Sequence, residues 1–176
     1  MTHVTYTIAP ASRRHLSALA AIELAAARLL EGHAPESVLA ETTSEDVLRD
    51  AEENGRLWVA LLKDDPVGFA QVIVPEPDHA HLDEIDVHPA HGRRGLGTRL
   101  VRAVCEWARA ASYKSITLCT FRDVAFNAPF YASLGFEIVP AADLSPALRA
   151  IVADETRRGL DPARRVVMRR WCTSIT

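Results

Sequence analysis

The stretch Gly92-Arg93-Arg94-Gly95-Leu96-Gly97 constrains this chain more than any other. It follows a strand-like segment, His81-Leu82-Asp83-Glu84-Ile85-Asp86-Val87, closed by His88-Pro89. It precedes a helical pattern in which Leu96, Leu100, Val104, Trp107 and Ala111 recur on one face. The unit is therefore a strand, a glycine-rich turn and a helix that opens directly from the turn. A helix start leaves backbone N–H groups unpaired, and the macrodipole favours negative charge there. Glycine permits positive φ and lets a ligand approach the main chain. The physical reading is a phosphate-binding turn, although glycine-rich turns also serve plain chain reversals.

A chain of 176 residues and 19.3 kDa is expected to form one domain, residues 1–176. With 48% hydrophobic and 24% charged residues, it has the composition of a folded core and not of a disordered segment. A net charge of −3 argues against a dedicated nucleic-acid binder. The three cysteines, Cys105, Cys119 and Cys172, show no metal-ligand spacing, which suits a reducing compartment. The N-terminal residues lack a secretory pattern, and the apolar run Leu16–Leu30 is interrupted by Glu23 and Arg28. A cytoplasmic protein with no membrane span is expected.

In chain order, Val4–Ala9 alternates as a strand. Ser12 can cap a helix whose shared face carries Leu16, Leu19, Ile22, Ala26 and Leu29. Glu36–Glu53 is a more polar helical region that can restart at Ser44. Arg56–Leu62 and Val67–Val74 read as a hairpin around Lys63-Asp64-Asp65-Pro66. His79–Val87 is the strand that enters the glycine-rich turn, and Lys114–Thr120 is the strand after the helix. Asn127 can cap a short helix carrying Phe130, Tyr131 and Leu134, with Gly135 as its stop. Phe136–Val139, a helix from Ser145-Pro146 to Gly159, and Val166–Trp171 complete the chain. Mixed strands and helices with one strand–helix–strand crossover make an α/β domain.

Two separated stretches then resemble one family, the Gcn5-related N-acetyltransferases. The first is Pro89 followed by Gly92-Arg93-Arg94-Gly95-Leu96-Gly97. It is similar to the family's acetyl-CoA signature Gln/Arg-x-x-Gly-x-Gly/Ala. The second is Asn127-Ala128-Pro129-Phe130-Tyr131-Ala132-Ser133-Leu134-Gly135-Phe136, similar to a later family helix with Asn-x-x-x-Tyr and a Gly-Phe end. The resemblance covers nearly the whole chain and implies a mixed, mostly antiparallel central sheet flanked by helices. Gly92 departs from the pattern, since the family usually has Gln or Arg there. Backbone amides can carry the contact without that side chain, and Arg93 or Arg94 could compensate.

The resemblance implies acetyl-CoA as co-substrate, and acyl transfer from a thioester calls for no metal. It places the pyrophosphate on the backbone of Gly92, Arg93, Arg94, Gly95, Leu96, Gly97 and Thr98, and the thioester carbonyl on the main chain of Val87. Asn127 is expected at the pantetheine or phosphate region. Acyl transfer to an amine needs a base and a proton for the leaving thiolate. Glu84 is the candidate base. Period-two geometry puts it on one strand face with Leu82 and Asp86, and Asp86 is the alternative. Tyr131 is the candidate acid, a phenol of pKa about 10 being competent toward a thiolate. Each also has a plainer reading: a solvated acid, a packed aromatic, a helix cap. The histidines at 79, 81, 88 and 91 and the basic pairs Arg157-Arg158 and Arg164-Arg165 read as structural or solvated groups.

The expected function is acetyl-CoA-dependent N-acetylation of a primary amine on a small molecule, by direct attack in a ternary complex. Asp83, Glu84 and Asp86 suit a cationic acceptor. Acetylation of a protein or peptide amine, and non-catalytic acyl-CoA binding, are the alternatives. The acceptor would be chosen by Leu30–Ser44 and Pro140–Arg165, and the resemblance allows a homodimer.

Overall fold

The computed structural model describes residues 5–172. They gather into two compact units. The first comprises residues up to Ile73 together with Asp83–Val104, and the second comprises Val74–Leu82 with the chain from Cys105 onward. Seven strands are hydrogen-bonded in the order β1-β2-β3-β4-β5-β7-β6: β1 Tyr6–Pro10, β2 Leu57–Leu62, β3 Asp65–Glu76, β4 His79–Val87, β5 Ser115–Phe121, β6 Glu137–Ile138 and β7 Arg165–Trp171. The sheet is mixed. β4 runs parallel to β5 from His79–Ser115 to His81–Thr117, while β1–β2, β2–β3, β5–β7 and β6–β7 are antiparallel. Six α-helices accompany it: α1 Leu16–Ala27, α2 Glu36–Leu39, α3 Glu45–Glu53, α4 Leu96–Ala110, α5 Ala128–Ser133 and α6 Pro146–Arg157. No described helix is long and apolar enough to cross a membrane.

In the first unit, α1 and α3 bury Leu16, Leu19, Ile22, Leu48 and Ala51 with Leu57, Val59, Leu61 and Phe69 of β2 and β3. This is the apolar stripe that the helical spacing requires, closed over one sheet face. Leu29, expected on that stripe, lies instead in a 3-10 turn after α1 and is 52% exposed. The tighter winding rotates it off the face. The polar region Glu36–Glu53 is two helices. The second restarts at Ser44, whose Oγ accepts from the Val47 N–H at 3.4 Å.

The β2–β3 turn is shorter than the four residues expected. Leu62 pairs with Asp65, so only Lys63 and Asp64 turn, with Lys63 at φ +57°. Asp65 and Pro66 belong to β3, and the register shifts just beyond them, between Ala60 and Leu61 on the partner strand. A bulge is where a strand tolerates a residue without an N–H. In α4 the buried stripe is Leu96, Leu100, Val101, Val104 and Ala108; Trp107 is half-buried and Ala111 exposed.

In the second unit, β5 pairs with β7 along its whole length, and their buried residues include Ile116, Leu118, Phe121, Val166, Val167 and Met168. His79 and His81 stand within hydrogen-bond distance of Ser115 Oγ (2.7 Å) and Thr117 Oγ1 (2.8 Å) on β5. They serve the β4–β5 seam. Burial holds His81 neutral, with its pKa lowered to about 4. The strand expected over Phe136–Val139 is reduced to Glu137–Ile138. The basic C-terminal residues are largely paired: Arg157 with Asp154, Arg164 with Asp123, and Arg165 with Glu155.

Candidate active site

The glycine-rich turn begins where β4 ends. Pro89–His91 form a 3-10 turn that Gly92 closes, its N–H donating to Pro89 O at 3.1 Å. Gly92 is extended (φ −62°, ψ 165°), Arg93 then takes φ +58° and Gly95 φ +73°. Positive φ at a non-glycine residue is strained and concentrates at functional turns. Such reversals aim successive N–H groups into one concavity, the form of a backbone anion site. Gly95 is needed for its φ and not for space, since a Cβ there would meet nothing within 4 Å. The α4 ladder starts with Arg99 N–H to Gly95 O at 3.1 Å, so the N–H groups of Leu96, Gly97 and Thr98 form the open first turn. Arg94 lies over the Tyr6 ring at 5.8 Å, and Arg99 donates to Tyr6 O at 3.0 Å. Tyr6 Oη is also 3.0 Å from His91 Nδ1. These contacts brace the turn against β1.

The end of β4 carries the acids. Gly68 on β3 faces it closely: a Cβ there would lie 2.8 Å from Asp86 O and 3.3 Å from Val87 Cα. Glycine at this point lets the two backbones approach. His88 N–H donates to Val67 O at 2.8 Å, and at the far end Glu76 and His79 flank the two-residue turn.

Glu84 and Asp86 share a strand face, as their spacing requires, and Glu23 of α1 joins them. One carboxyl oxygen from each lies within 4.8 Å of the other two. Three acids crowded together in a protein interior resist ionisation. Enclosure of its carboxyl, with Asp86, Glu23 and Asp83 nearby, pushes Glu84 well above the usual carboxylate range. Enclosure and the Glu23 charge push Asp86 up to about 7, offset in part by a hydrogen bond from Glu84. Glu84 and Asp86 thus form a hydrogen-bonded pair in which both carboxyls resist ionisation. Asp86 Oδ2 and Gln71 Oε1 are buried without a further partner. A carboxylic acid O–H at Glu84 is a donor for such acceptors, whereas a carboxylate is not.

In the second unit, Tyr131 sits on α5, 8% exposed, edge-on to Phe130 at 5.0 Å and Phe136 at 5.9 Å between ring centroids. Gly135 (φ +86°) ends this helix, with Gly135 N–H to Ala132 O and Phe136 N–H to Tyr131 O. Asn127 does not cap α5 through its side chain. Its Oδ1 instead accepts from Thr120 Oγ1 at 2.8 Å and Phe121 N–H at 3.3 Å. The β5 terminus competes for the oxygen that a cap would use, and Asn127 fastens α5 to that strand.

A phosphate-type turn, an acid-bearing strand end and an Asn-x-x-x-Tyr helix occur here in one order. The family model for the acetyltransferase (GNAT) family matches residues 20–136, a span that contains all three. The chain belongs to the GNAT acetyltransferase family. Solved GNAT structures share the fold at low identity. A PaiA N-acetyltransferase from Thermoplasma acidophilum in complex with coenzyme A is 15% identical with a TM-score of 0.73, over 95% of this chain and 99% of that one. A ribosomal-protein-S18-alanine N-acetyltransferase from Escherichia coli is 18% identical with a TM-score of 0.65, over 98% and 97%. An N-acetylglutamate synthase from Neisseria gonorrhoeae, complexed with coenzyme A and N-acetyl-glutamate, is 16% identical with a TM-score of 0.68. The match covers 98% of this chain and 36% of that one. The protein is accordingly a GNAT acyltransferase with the family's seven-strand mixed sheet.

Two residues of this candidate site were not among the sequence candidates. Glu23 is a helix acid whose place beside β4 depends on how α1 packs. Gly68 carried a usable signal, because an isolated glycine inside a strand pattern marks a bulge or a close backbone approach.

Proposed function

We propose that this GNAT protein transfers the acetyl group of acetyl-CoA to the primary amine of a small cationic molecule. The observation that carries the reading is the Glu23–Glu84–Asp86 cluster, which offers an ammonium group converging acids and a proton acceptor of suitable strength. The Gly92–Thr98 backbone would hold the pyrophosphate, the Val87 main chain the thioester carbonyl, and Asn127 the pantetheine region. These assignments rest on the family resemblance and on the open N–H groups of the turn.

The protonated amine first loses a proton to Asp86, with Glu84 keeping its own. The free nitrogen attacks the acetyl carbonyl carbon, forming the C–N bond, and the C–S bond breaks as the tetrahedral carbon collapses. Tyr131 is the proposed donor to the departing thiolate. The nitrogen's second proton replaces the one the phenol gives up. The balance is one ammonium and one thioester converted to an amide, a thiol and one released proton. The Glu84–Asp86 pair acts as one base, consistent with coupled titration of two carboxyls.

The test is a panel of polyamines, amino acids, aminoglycosides and peptides bearing a free N-terminus, scored by release of CoA thiol. Small di- or polycationic amines are expected to lead. Turnover confined to the peptides would overturn the small-molecule reading, and acetyl-CoA binding without turnover of any amine would overturn catalysis.

A further inference from the structure

Glu23 is an acid on the apolar face of a helix, 8% exposed and flanked on that face by buried Leu19, Ile22 and Ala26. Such a residue persists when its charge is satisfied. Thr43 satisfies it twice: the backbone N–H donates to Oε2 at 2.8 Å and Oγ1 donates to Oε1 at 3.1 Å. Donors on both oxygens favour the carboxylate over the acid. Thr43 is itself held in place, because the next residue is the Ser44 cap of α3. A negative charge is thereby fixed beside the oxygens of Glu84 and Asp86.

We propose that Glu23, tied by Thr43, is a positioning residue for the acetyl transfer: its fixed charge makes Glu84 and Asp86 share one proton, leaving Asp86 to receive the proton of the substrate ammonium. The inference rests on the N-acetyltransferase reading above. Among the described residues, the charges that raise the pair are those of Glu23 from α1, exposed Asp83 on β4, and the two partners themselves. On β3 the buried residues Gln71 and Phe69 are neutral. Glu23 is the member whose two carboxyl oxygens each receive a hydrogen bond from Thr43. An acid that merely tied a loop to α1 would serve equally well as an amide, and that difference is measurable.

Carboxyl carbons of Asp and Glu are followed by 13C NMR titration in the free, full-length protein, for the wild type, Glu23→Gln and Glu23→Asp. Glu23→Gln is expected to lower the Asp86 midpoint by about one pH unit, a tenfold loss of proton affinity. The acid limb of kcat/KM for the best amine of the panel should move with it. Glu23→Asp keeps the charge and is expected to stay near the wild-type midpoint. An unmoved midpoint in folded Glu23→Gln, or an equal shift in both variants, overturns the proposal. Should the variants fail to fold, the wild type alone decides: Glu23 must titrate below Asp86, and the reverse order overturns it. Because the titration needs no turnover, an inactive amine panel would refute the reaction without touching this result.

Discussion

Replacing Asp86 with Asn should make the protein more stable and inactive, and the gain should depend on pH. Asp86 is raised from 3.8 to about 7 by burial and by the charge of Glu23. In an unfolded chain the carboxyl ionises near pH 4, so the folded form binds the proton more tightly. A carboxyl raised in this way gives its full stability below pH 4 and loses it as pH climbs to 7. The shift corresponds to about 4 kcal/mol forfeited by wild type at pH 8, and to less than about 1 kcal/mol at pH 4. Asn has the same shape and no charge to bury. Urea denaturation at pH 4 and pH 8 should therefore show Asp86→Asn near wild type at the lower pH and several kcal/mol more stable at the higher one. In thermal melts at pH 8 the gain is on the order of 10 °C for a chain of this size. Stability differences that stay constant from pH 4 to pH 8 would show that Asp86 carries no strained charge. The choice of Asp86 as the acceptor would then lose its basis.

Three further substitutions probe the rest of the site. Gly68→Ala puts a Cβ 2.8 Å from Asp86 O; it should cost about 1–3 kcal/mol in urea denaturation and lower turnover by displacing the end of β4. Gly95→Ala forces a side chain onto φ +73°; a loss of about 1–2 kcal/mol is expected, with weaker acetyl-CoA binding in calorimetry, and unchanged affinity would remove the turn from the cofactor site. Tyr131→Phe should reduce kcat on the order of a hundredfold with little change in KM, and an unaltered kcat would assign the thiolate's proton to another donor.

The strand, turn and helix around Gly92–Gly97 were legible because glycine spacing, a closing proline and a helical stripe are local signals. The strand parity that puts Glu84 and Asp86 together was legible for the same reason. Glu23 was not. In the sequence it only interrupts an apolar run, and its meaning depends on the angle at which α1 crosses the sheet and on Thr43, 20 residues later. Asn127 shows the opposite case. Its position before Pro129 carries a strong capping signal, yet its oxygen is taken by Thr120 and Phe121, partners that a local pattern does not contain. The bulge near Pro66 and the shortened turn are likewise products of pairing between strands, which a single strand's composition does not specify.

Crowding three acids at the end of β4 lowers stability, and in the proposed reaction the same free energy returns in the chemistry. An alkylammonium has a pKa near 10.4, so moving its proton to an ordinary aspartate costs about 9 kcal/mol. With Asp86 at about 7, the cost falls to about 5 kcal/mol. The difference of about 4 kcal/mol matches what the fold gives up by burying that carboxyl above pH 7. A single isolated acid at this position would be cheaper to fold and a poorer base. Adding a cation from the protein would restore stability and undo the gain, since a neighbouring Lys or Arg would pull Asp86 back toward its usual range. In the proposed reaction the substrate itself is the incoming cation. Three acids beside an incoming ammonium are what the proposed acetylation of a cationic amine requires.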